Sequence, residues 1–256
     1  MIEQRTLGAS GISVSILGLG TVKLGRAVGV RYPTDFVIPD DAAVRTLLTR
    51  CRDTGINLID TAPAYGNSEA RLGELLYADA RREDWVIITK TGEEFDGAVS
   101  RYDFSPEHTQ YSVRRSLKRL NTDYLDVVLI HSNGDDTHIL ERMGTLDALA
   151  ALKAQGLIRA IGISHKTVEG GSLAVDKGAD AIMTELNRAE RRQLPVIARA
   201  VAQGCGVLIK KALVSGQGSP EDLKEVVNEP GVTSVVVGTI NPAHLDENVR
   251  LIQSAD

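Results

Sequence analysis

Short apolar, β-branched runs alternate with longer segments of helical periodicity along most of the chain, and this alternation constrains the fold more than any other feature. Runs of this kind occupy 15–20, 56–60, 85–90, 124–131, 158–164, 180–187, 206–210 and 233–238. Strands that helices cover on both faces are apolar throughout, as these runs are. Eight parallel strands with following helices in 256 residues predict an α/β protein of the (β/α)8 TIM barrel type.

The segments outside this repeat refine the prediction. The turn-like residues 9–12 separate two extended segments and predict an N-terminal β-hairpin ahead of the barrel. A doubly wound open sheet is the alternative, but its first turn is usually glycine-rich, and residues 18–25 do not match G-x-G-x-x-G. No Pro/Ser-rich linker divides the chain, so we expect residues 1–256 to form a single domain.

Composition limits the classes of partner. The formal net charge of −5 gives no indication of a nucleic-acid surface, and no stretch approaches the ~18 apolar residues of a membrane span. Cys51 and Cys205 lie far apart and outside any metal-like spacing, so we expect reduced thiols and no metal site. Without an apolar signal core at its start, we expect a cytoplasmic protein, either a monomer or a weak homo-oligomer.

Polar side chains end three successive predicted strands. Asp60 ends the second strand, with Tyr65 in the Pro/Gly loop that follows, Lys90 ends the third and His131 the fourth. Each alone has an ordinary explanation, such as a capping carboxylate, a solvated strand end or a structural histidine. Because barrel chemistry lies at the carboxyl ends of the strands, together they predict an active site. The residues Asn67, Ser68 and Glu69 beyond the loop are interpreted only as the N-cap of the next helix.

These residue types suit proton transfer to a carbonyl oxygen. A phenol has a pKa of about 10, and a nearby ammonium such as Lys90 stabilises its ionised form and lowers that pKa. A buried ammonium in turn needs a carboxylate, which Asp60 supplies. His131 can orient the substrate oxygen or share the proton. The group includes no nucleophile, so we expect a bound cofactor to deliver the hydride.

At this point the sequence resembles the aldo-keto reductase superfamily over essentially its whole length. The similar segments, in the order and spacing of the family, are 5–21, 55–76, 85–90, 124–131, 156–164 and 235–252. The resemblance implies interconversion of an aldehyde or ketone and an alcohol by hydride transfer. It also implies that Tyr65 is the general acid/base, that Lys90 and Asp60 tune it, and that His131 orients the carbonyl oxygen.

The resemblance further implies an extended nicotinamide dinucleotide bound without a Rossmann fold. The positions that it assigns to cofactor binding are Gly20, Thr21, Asp60, Ser164, His165, Met183, Lys210, Lys211, Ala212, Leu213, Gly238, Thr239, Asn241, His244 and Asn248.

The chain departs from the family pattern at several of these cofactor positions. His165 replaces a common Asn, Leu186 replaces the Tyr that stacks on the nicotinamide, and His244 replaces an Arg near the 2′-phosphate. Lys210 and Lys211 stand where many members have Ser-Pro-Leu, and they either meet the pyrophosphate or form a solvated basic rim. We expect NADPH on the strength of the resemblance and leave NADH open, because histidine cannot make arginine's bidentate contact.

Two other functions stay open. One is a non-catalytic, nicotinamide-binding regulatory subunit, and the other is a Schiff-base barrel enzyme that uses Lys90 or Lys210 as its nucleophile. The rim loops 24–40, 92–104 and 132–142 are short and polar, which is compatible with a small or polar carbonyl substrate. Neither the physiological substrate nor the preferred reaction direction can be read from the residues.

Overall fold

A computed structural model describes residues 1–30, 35–77, 80–214, 216 and 218–254, so part of the predicted rim loop 24–40, residues 31–34, lies outside the described residues. Eight parallel strands close into one barrel, which confirms the predicted fold class. The barrel strands are β3 (Leu17–Gly20), β4 (Leu58–Asp60), β5 (Val86–Thr91), β8 (Leu125–His131), β9 (Ile158–Ser164), β10 (Ala181–Glu185), β11 (Gly206–Lys210) and β12 (Ser234–Val237).

Pairing between the first and last barrel strands closes the sheet. Val235 of β12 pairs with Leu17 of β3, and Gly20 at the end of β3 pairs with Asp60 at the end of β4. Closure leaves no barrel strand with an open edge. Because strands from both halves of the sequence complete one sheet, we propose that the chain folds as a single domain.

Helices follow the strands and cover the outside of the barrel. Their bounds are α1 (Val22–Gly25), α2 (Asp41–Thr54), α3 (Ser68–Leu75), α4 (Pro106–Arg119), α5 (Asp136–Arg142), α6 (Thr145–Ala154), α7 (Val168–Asp176), α8 (Leu194–Ala202), α9 (Pro220–Asn228) and α10 (Pro242–Gln253), with a 3₁₀ turn at Arg82–Asp84.

Side-chain caps start several of these helices where the sequence indicated. Ser105 accepts a hydrogen bond from the His108 amide at the start of α4, and Asn241 accepts one from the Ala243 amide at the start of α10. The predicted N-cap of the helix after the loop is confirmed at Asn67, which occupies the N-cap position of α3 but makes no side-chain capping hydrogen bond. Ser68 Oγ donates a hydrogen bond to Thr21 Oγ1 at 2.8 Å, because the loop packs against the end of β3.

The predicted N-terminal hairpin consists of β1 (Gln4–Thr6) and β2 (Ser13–Ser15), paired antiparallel. It covers the amino-terminal end of the barrel, opposite the rim that carries the polar strand ends. Leu7, Ile12 and Val14 are fully buried against the inward-facing side chains of the barrel strands. Burial of each such side chain contributes about 1.5–3 kcal/mol. A second apolar layer lies between the strands and the helices.

A second hairpin, which the sequence did not reveal, lies within the predicted rim loop 92–104. Strands β6 (Glu93–Phe95) and β7 (Ser100–Tyr102) pair antiparallel directly after β5. They have no run of alternating apolar residues, so the usual strand signal is missing. Gly92 joins β5 to β6 with a φ of 104°, and a Cβ there would lie 2.4 Å from the Phe104 ring. This turn directs the hairpin over the rim.

Gly8 provides a test of the contact between the N-terminal hairpin and the barrel. A Cβ at Gly8 would lie 2.3 Å from Gly204 O, and the residue has a φ of 54°. Gly8→Ala should therefore lower the free energy of unfolding, measured by urea denaturation, by about 3 kcal/mol. Gly11→Ala is the control, because Gly11 has a φ of 71° but no atom within 4 Å of its Cβ position. It should cost only about 1 kcal/mol, and equal losses would contradict the packing role.

Candidate active site

A buried ammonium group is the centre of the site. Lys90 Nζ donates hydrogen bonds to Asp60 Oδ1 at 2.6 Å, to Thr61 O at 2.9 Å and to Tyr65 Oη at 3.1 Å. The Lys90 side chain is 1% exposed and that of Asp60 6%. All three ammonium protons thus have acceptors, which is the condition under which a charged lysine is tolerated inside a protein.

Burial and neighbouring charges have opposite effects on the pKa values of Lys90 and Tyr65. Burial disfavours the Lys90 ammonium, but the charge of Asp60 and the contact with Tyr65 outweigh burial and raise the pKa of Lys90. Burial also disfavours the Tyr65 phenolate, and although Lys90 opposes this effect, the pKa of Tyr65 is raised to about 12. The sequence-based expectation of a lowered phenol pKa is therefore wrong for this structure, because desolvation is the larger influence.

His131 lies beside the phenol and beside a carboxylate. Its ring is edge-on to the Tyr65 ring, with centroids 6.1 Å apart. Its Nδ1 lies 2.9 Å from Glu93 Oε2, an ion-pair distance, although the angle is outside hydrogen-bond geometry. Burial lowers the pKa of His131, and the Glu93 carboxylate opposes that change. Sequence reasoning missed Glu93 because the hairpin that carries it was not predicted.

Backbone contacts hold Asp60 and the following loop in place. Thr21 Oγ1 donates to Asp60 O at 2.9 Å, and the Thr21 amide donates to the same oxygen at 3.0 Å. Thr61 Oγ1 donates to Ser68 Oγ at 3.2 Å, which links the start of α3 to the end of β4. The hydroxyl of Thr21, predicted to contact the cofactor, is therefore engaged in supporting the Asp60 backbone.

The polar residues predicted to bind the cofactor lie on a neighbouring part of the rim. The barrel order β9, β10, β11 and β12 places these strand ends side by side, next to the group of β4, β5 and β8. Lys210 Nζ donates to Ser164 Oγ at 2.7 Å and to His165 O at 3.1 Å. Burial, with the neighbouring charges of Lys211 and Lys90, lowers the pKa of Lys210 to about 7.

His165 occupies the position where the family commonly has Asn. Its Nδ1 lies 2.9 Å from Thr167 O, while its buried Nε2 has no hydrogen-bond partner among the described residues. The ring lies against Gly171 of α7, where a Cβ would be 2.5 Å from it. Burial and the Lys210 charge lower the pKa of His165 to about 4, so the imidazole is neutral.

The segment after β11 has an unusual backbone. Lys211 and Val214 adopt φ values of 57° and 47°, a region that residues other than glycine rarely occupy. Lys211 Nζ pairs with Glu185 Oε2 at 2.6 Å, and Lys211 O accepts a hydrogen bond from Asn187 Nδ2 at 3.3 Å. The Lys211 ammonium therefore already has an anionic partner, whereas Lys210 faces Ser164.

Hydrogen bonds within the β12–α10 connection already use its polar groups. Thr239 Oγ1 accepts from the Asn241 amide at 3.1 Å, and Asn241 Oδ1 accepts from the Ala243 amide at 2.9 Å. His244 is exposed in the first turn of α10, whereas Asn248 is buried one turn later. His244 is thus the group at the start of α10 that is free to face an anion from solvent.

The other positions assigned to cofactor binding are backbone or apolar. Gly20 lies beside Asp60, Gly238 follows β12, and Met183 is buried inside the barrel. Ala212 and Leu213 pack against the layer between strands and helices, which also buries Leu186. Together the rim offers a buried lysine and a helix N-terminus, donors that suit an anionic dinucleotide, and an orphaned imidazole nitrogen that can accept from a carboxamide N–H. The residues present therefore fit the cofactor.

Within the described ranges, no three His, Cys, Asp or Glu side chains come together in a way that could hold a metal ion. In the same ranges, the helices are all too short or too polar to span a bilayer.

Similar known proteins identify the family. The model of the aldo/keto reductase family matches residues 16–199. A crystal structure from Pseudomonas aeruginosa, assigned to the aldo-keto reductases, is 50% identical and superposes with a TM-score of 0.89, covering 97% of this chain and 93% of that one. The chain belongs to the aldo-keto reductase family, as the sequence resemblance implied.

Curated relatives include oxidoreductases of several kinds. L-galactose dehydrogenase of Arabidopsis thaliana is 32% identical over 86% of this chain and 69% of its own length. An NADH-specific methylglyoxal reductase of Escherichia coli is 34% identical over 62% of this chain and 51% of its own length. The match thus spans about half to two thirds of these relatives. Family membership and these names support an NAD(P)H-dependent enzyme.

Whether Lys90 compensates the buried charge of Asp60 can be tested by measuring the free energy of unfolding. Lys90→Met leaves the Asp60 carboxylate buried without its cation, and should lower the free energy of unfolding at pH 7 by about 3 kcal/mol in a urea titration. The double variant Asp60→Asn/Lys90→Met removes both charges and should recover part of this loss. A double variant that loses the sum of the two single effects would show that the pair is not coupled.

Proposed function

We propose that this protein interconverts an aldehyde or ketone and an alcohol, with Asp60, Tyr65, Lys90 and His131 as its active-site residues. The observation that carries the proposal is the contact of one buried ammonium with both the Asp60 carboxylate and the Tyr65 phenol, at 2.6 and 3.1 Å. A structural ion pair would not need the phenol as a third member. A non-catalytic regulatory subunit would not need this proton-transfer group.

Tyr65 donates the proton in the reductive direction. Since burial raises its pKa to about 12, the phenol is protonated at neutral pH and is ready to act as an acid. As the carbonyl oxygen of the substrate becomes an alkoxide, it takes the proton from Tyr65, and the Lys90 ammonium stabilises the phenolate that is left. His131, whose ring centroid lies 6.1 Å from that of the phenol, orients the carbonyl oxygen. A protonated phenol is the state that the reductive direction requires.

The part of the rim from β9 to β12 would hold the cofactor. Ser164 and the orphaned Nε2 of His165 would meet the carboxamide end, Lys210 would meet the pyrophosphate, and the start of α10 would meet the adenosine phosphate. The bound dinucleotide supplies or accepts the hydride. The residues named here bind and orient it, and the fully buried Leu186 packs beneath the rim without a stacking ring.

We infer that NADPH and NADH are both accepted, with a preference for NADPH on the basis of the family. His244 is the exposed group at the start of α10 that could face a 2′-phosphate, and Thr239 and Asn241 are engaged with the backbone. Histidine is a weaker cation than arginine at pH 7, so discrimination between the two cofactors should be modest. The NADH specificity in one relative's name is consistent with this inference.

A small, hydroxylated carbonyl compound is the substrate class that we favour. The relatives' names refer to a sugar and to a small dicarbonyl compound. Glu93 lies beside His131, and Ser100 and Arg26 contact its carboxylate, so this part of the described rim is polar and suits hydroxyl groups. The cytoplasmic location and the monomeric or weakly associated state stay predictions.

A Schiff-base enzyme is the weaker alternative. Lys90 is a poor nucleophile, because Asp60 and Tyr65 keep its amine protonated. Lys210 has a pKa lowered to about 7 and is the better candidate for a neutral amine. Its hydrogen bonds to Ser164 and to His165 O, however, place it in the group predicted to hold the cofactor.

Tyr65→Phe tests the proposed proton donor. The phenyl ring keeps the packing but cannot donate, so kcat for carbonyl reduction should fall by about 10²–10⁴-fold while NADPH affinity, measured by fluorescence titration, stays near that of wild type. Tyr111→Phe is the matched control, since Tyr111 is 60% exposed on α4 and should leave kcat unchanged. Near-normal turnover of Tyr65→Phe would refute the assigned role.

His244→Arg tests the position of the 2′-phosphate. An arginine there can make a charge-assisted bidentate contact, so the Kd for NADPH should fall by about tenfold and the Kd for NADH should stay unchanged. His138→Arg, an equally conservative change at an exposed position of α5, should alter neither constant. If His244→Arg tightens both cofactors equally, His244 does not face the 2′-phosphate.

A further inference from the structure

We propose that Glu93 is a positioning residue that holds the proton of His131 on Nδ1, so that only the doubly protonated imidazolium can donate a hydrogen bond to the substrate oxygen. This inference deepens the proposed function and rests on it. Glu93 lies on β6, in the hairpin that the sequence did not reveal, and its Oε2 is 2.9 Å from His131 Nδ1. Both side chains are mostly buried, 11% and 20% exposed.

Several neighbours fix the Glu93 carboxylate in place. Ser100 Oγ, on the paired strand β7, donates to Glu93 Oε1 at 2.6 Å, and Arg26 Nη1 lies 3.6 Å from the same oxygen. Arg26 is itself held, because its Nη1 donates to Ala64 O at 3.0 Å and its guanidinium lies 3.7 Å from the Phe95 ring centroid. A carboxylate held by this many contacts has little freedom to turn away from His131.

The charge of Glu93 decides which imidazole nitrogen carries a proton. Burial alone would raise its pKa, but His131, Ser100 and Arg26 outweigh burial and lower it to about 2, so the carboxylate is ionised at every working pH. An ionised carboxylate only accepts hydrogen bonds, and Nδ1 must therefore be protonated to interact with it favourably. In neutral His131 the other nitrogen, Nε2, then has a lone pair and cannot donate to a carbonyl oxygen.

The charged groups around His131 set the direction in which its pKa changes when the charge of Glu93 is lost. Burial and the positive charges of Lys90 on β5 and Lys210 on β11 lower the pKa of His131, whereas Glu93 on β6 raises it. Ser164, its pairing partner on β9, is uncharged, and Tyr65 stays protonated. Loss of the Glu93 charge should therefore convert imidazolium to neutral imidazole at a lower pH.

Glu93→Gln tests this through the pH dependence of reduction. In wild type, kcat/KM should fall as pH rises through the His131 titration. The carbonyl oxygen of Gln can still accept from Nδ1–H, so Glu93→Gln removes the charge and keeps the tautomer. The decline should then begin at lower pH, giving about a tenfold deficit at pH 8 that shrinks as the pH is lowered. Glu94→Gln is the matched control, because Glu94 contacts Arg115 and His108 and does not reach the site. Its profile should superimpose on that of wild type.

A deficit of Glu93→Gln that is the same at every pH would overturn the inference, because a purely structural role predicts that result. Nitrogen-15 NMR of the histidine rings, assigned with His131→Asn, gives a second readout that needs no substrate. Wild type should show the Nδ1–H tautomer and Glu93→Gln a lower titration midpoint. An Nε2–H tautomer in wild type, or an unchanged midpoint, would contradict the proposal.

Two further results separate the possible failures. If Glu93→Gln does not fold, Ser100→Ala provides the test, because it removes one hydrogen bond to the Glu93 carboxylate. The decline of kcat/KM with pH should then begin at a lower pH than in wild type, by a smaller amount than in Glu93→Gln. An unchanged pH profile of Ser100→Ala would count against the proposal. If wild type reduces no aldehyde, ketone or sugar with either cofactor, the proposed function fails. The NMR tautomer still decides the role of Glu93 in that case.

Discussion

The buried ammonium of Lys90 is the interaction on which the organisation of the site depends. A charge with 1% exposure is stable only if every donor finds an acceptor, and Asp60, Thr61 and Tyr65 provide three. This requirement places the end of β4, the following loop and the end of β5 at fixed distances. Thr21 then holds the Asp60 backbone from β3. The geometry of the candidate site is thus a consequence of satisfying one desolvated cation.

Closure of the barrel holds the residues that make this interaction at fixed positions. The pairing of β12 with β3 completes the sheet, and the N-terminal hairpin fills the opposite end with apolar side chains. Polar groups can then collect at the carboxyl-terminal rim without opening the core to water. The rim divides by strand order into a part at β4, β5 and β8 that is proposed to transfer the proton and an adjoining part from β9 to β12 that is predicted to bind the cofactor. A substrate between the two parts would meet the phenol and the hydride together.

Sequence reasoning recovered the barrel strands and the four groups at their ends because both depend on local patterns. Apolar runs identified the strands, and parallel register brings successive strand ends to one edge. Expectations were wrong where a property depends on the surroundings of a residue in the folded chain. Desolvation reverses the expected change in the pKa of Tyr65, and no residue pattern shows how much water a loop excludes. The side-chain contacts of the N-cap segment 67–69 also depend on the environment, because Ser68 bonds to Thr21 from a distant segment.

By itself, the sequence determined the fold class, the family and the identity of the groups at the rim, because alternating apolar runs and strand-end residues are properties of short segments. Which of these groups touch one another, and which carry a proton, depends on the tertiary structure. Glu93 shows this most directly: its strand has no apolar alternation, and its contact with His131 joins residues 38 positions apart in the sequence. Hydrogen-bond partners and solvent exclusion arise only when such segments meet, and they decide the chemistry of the site.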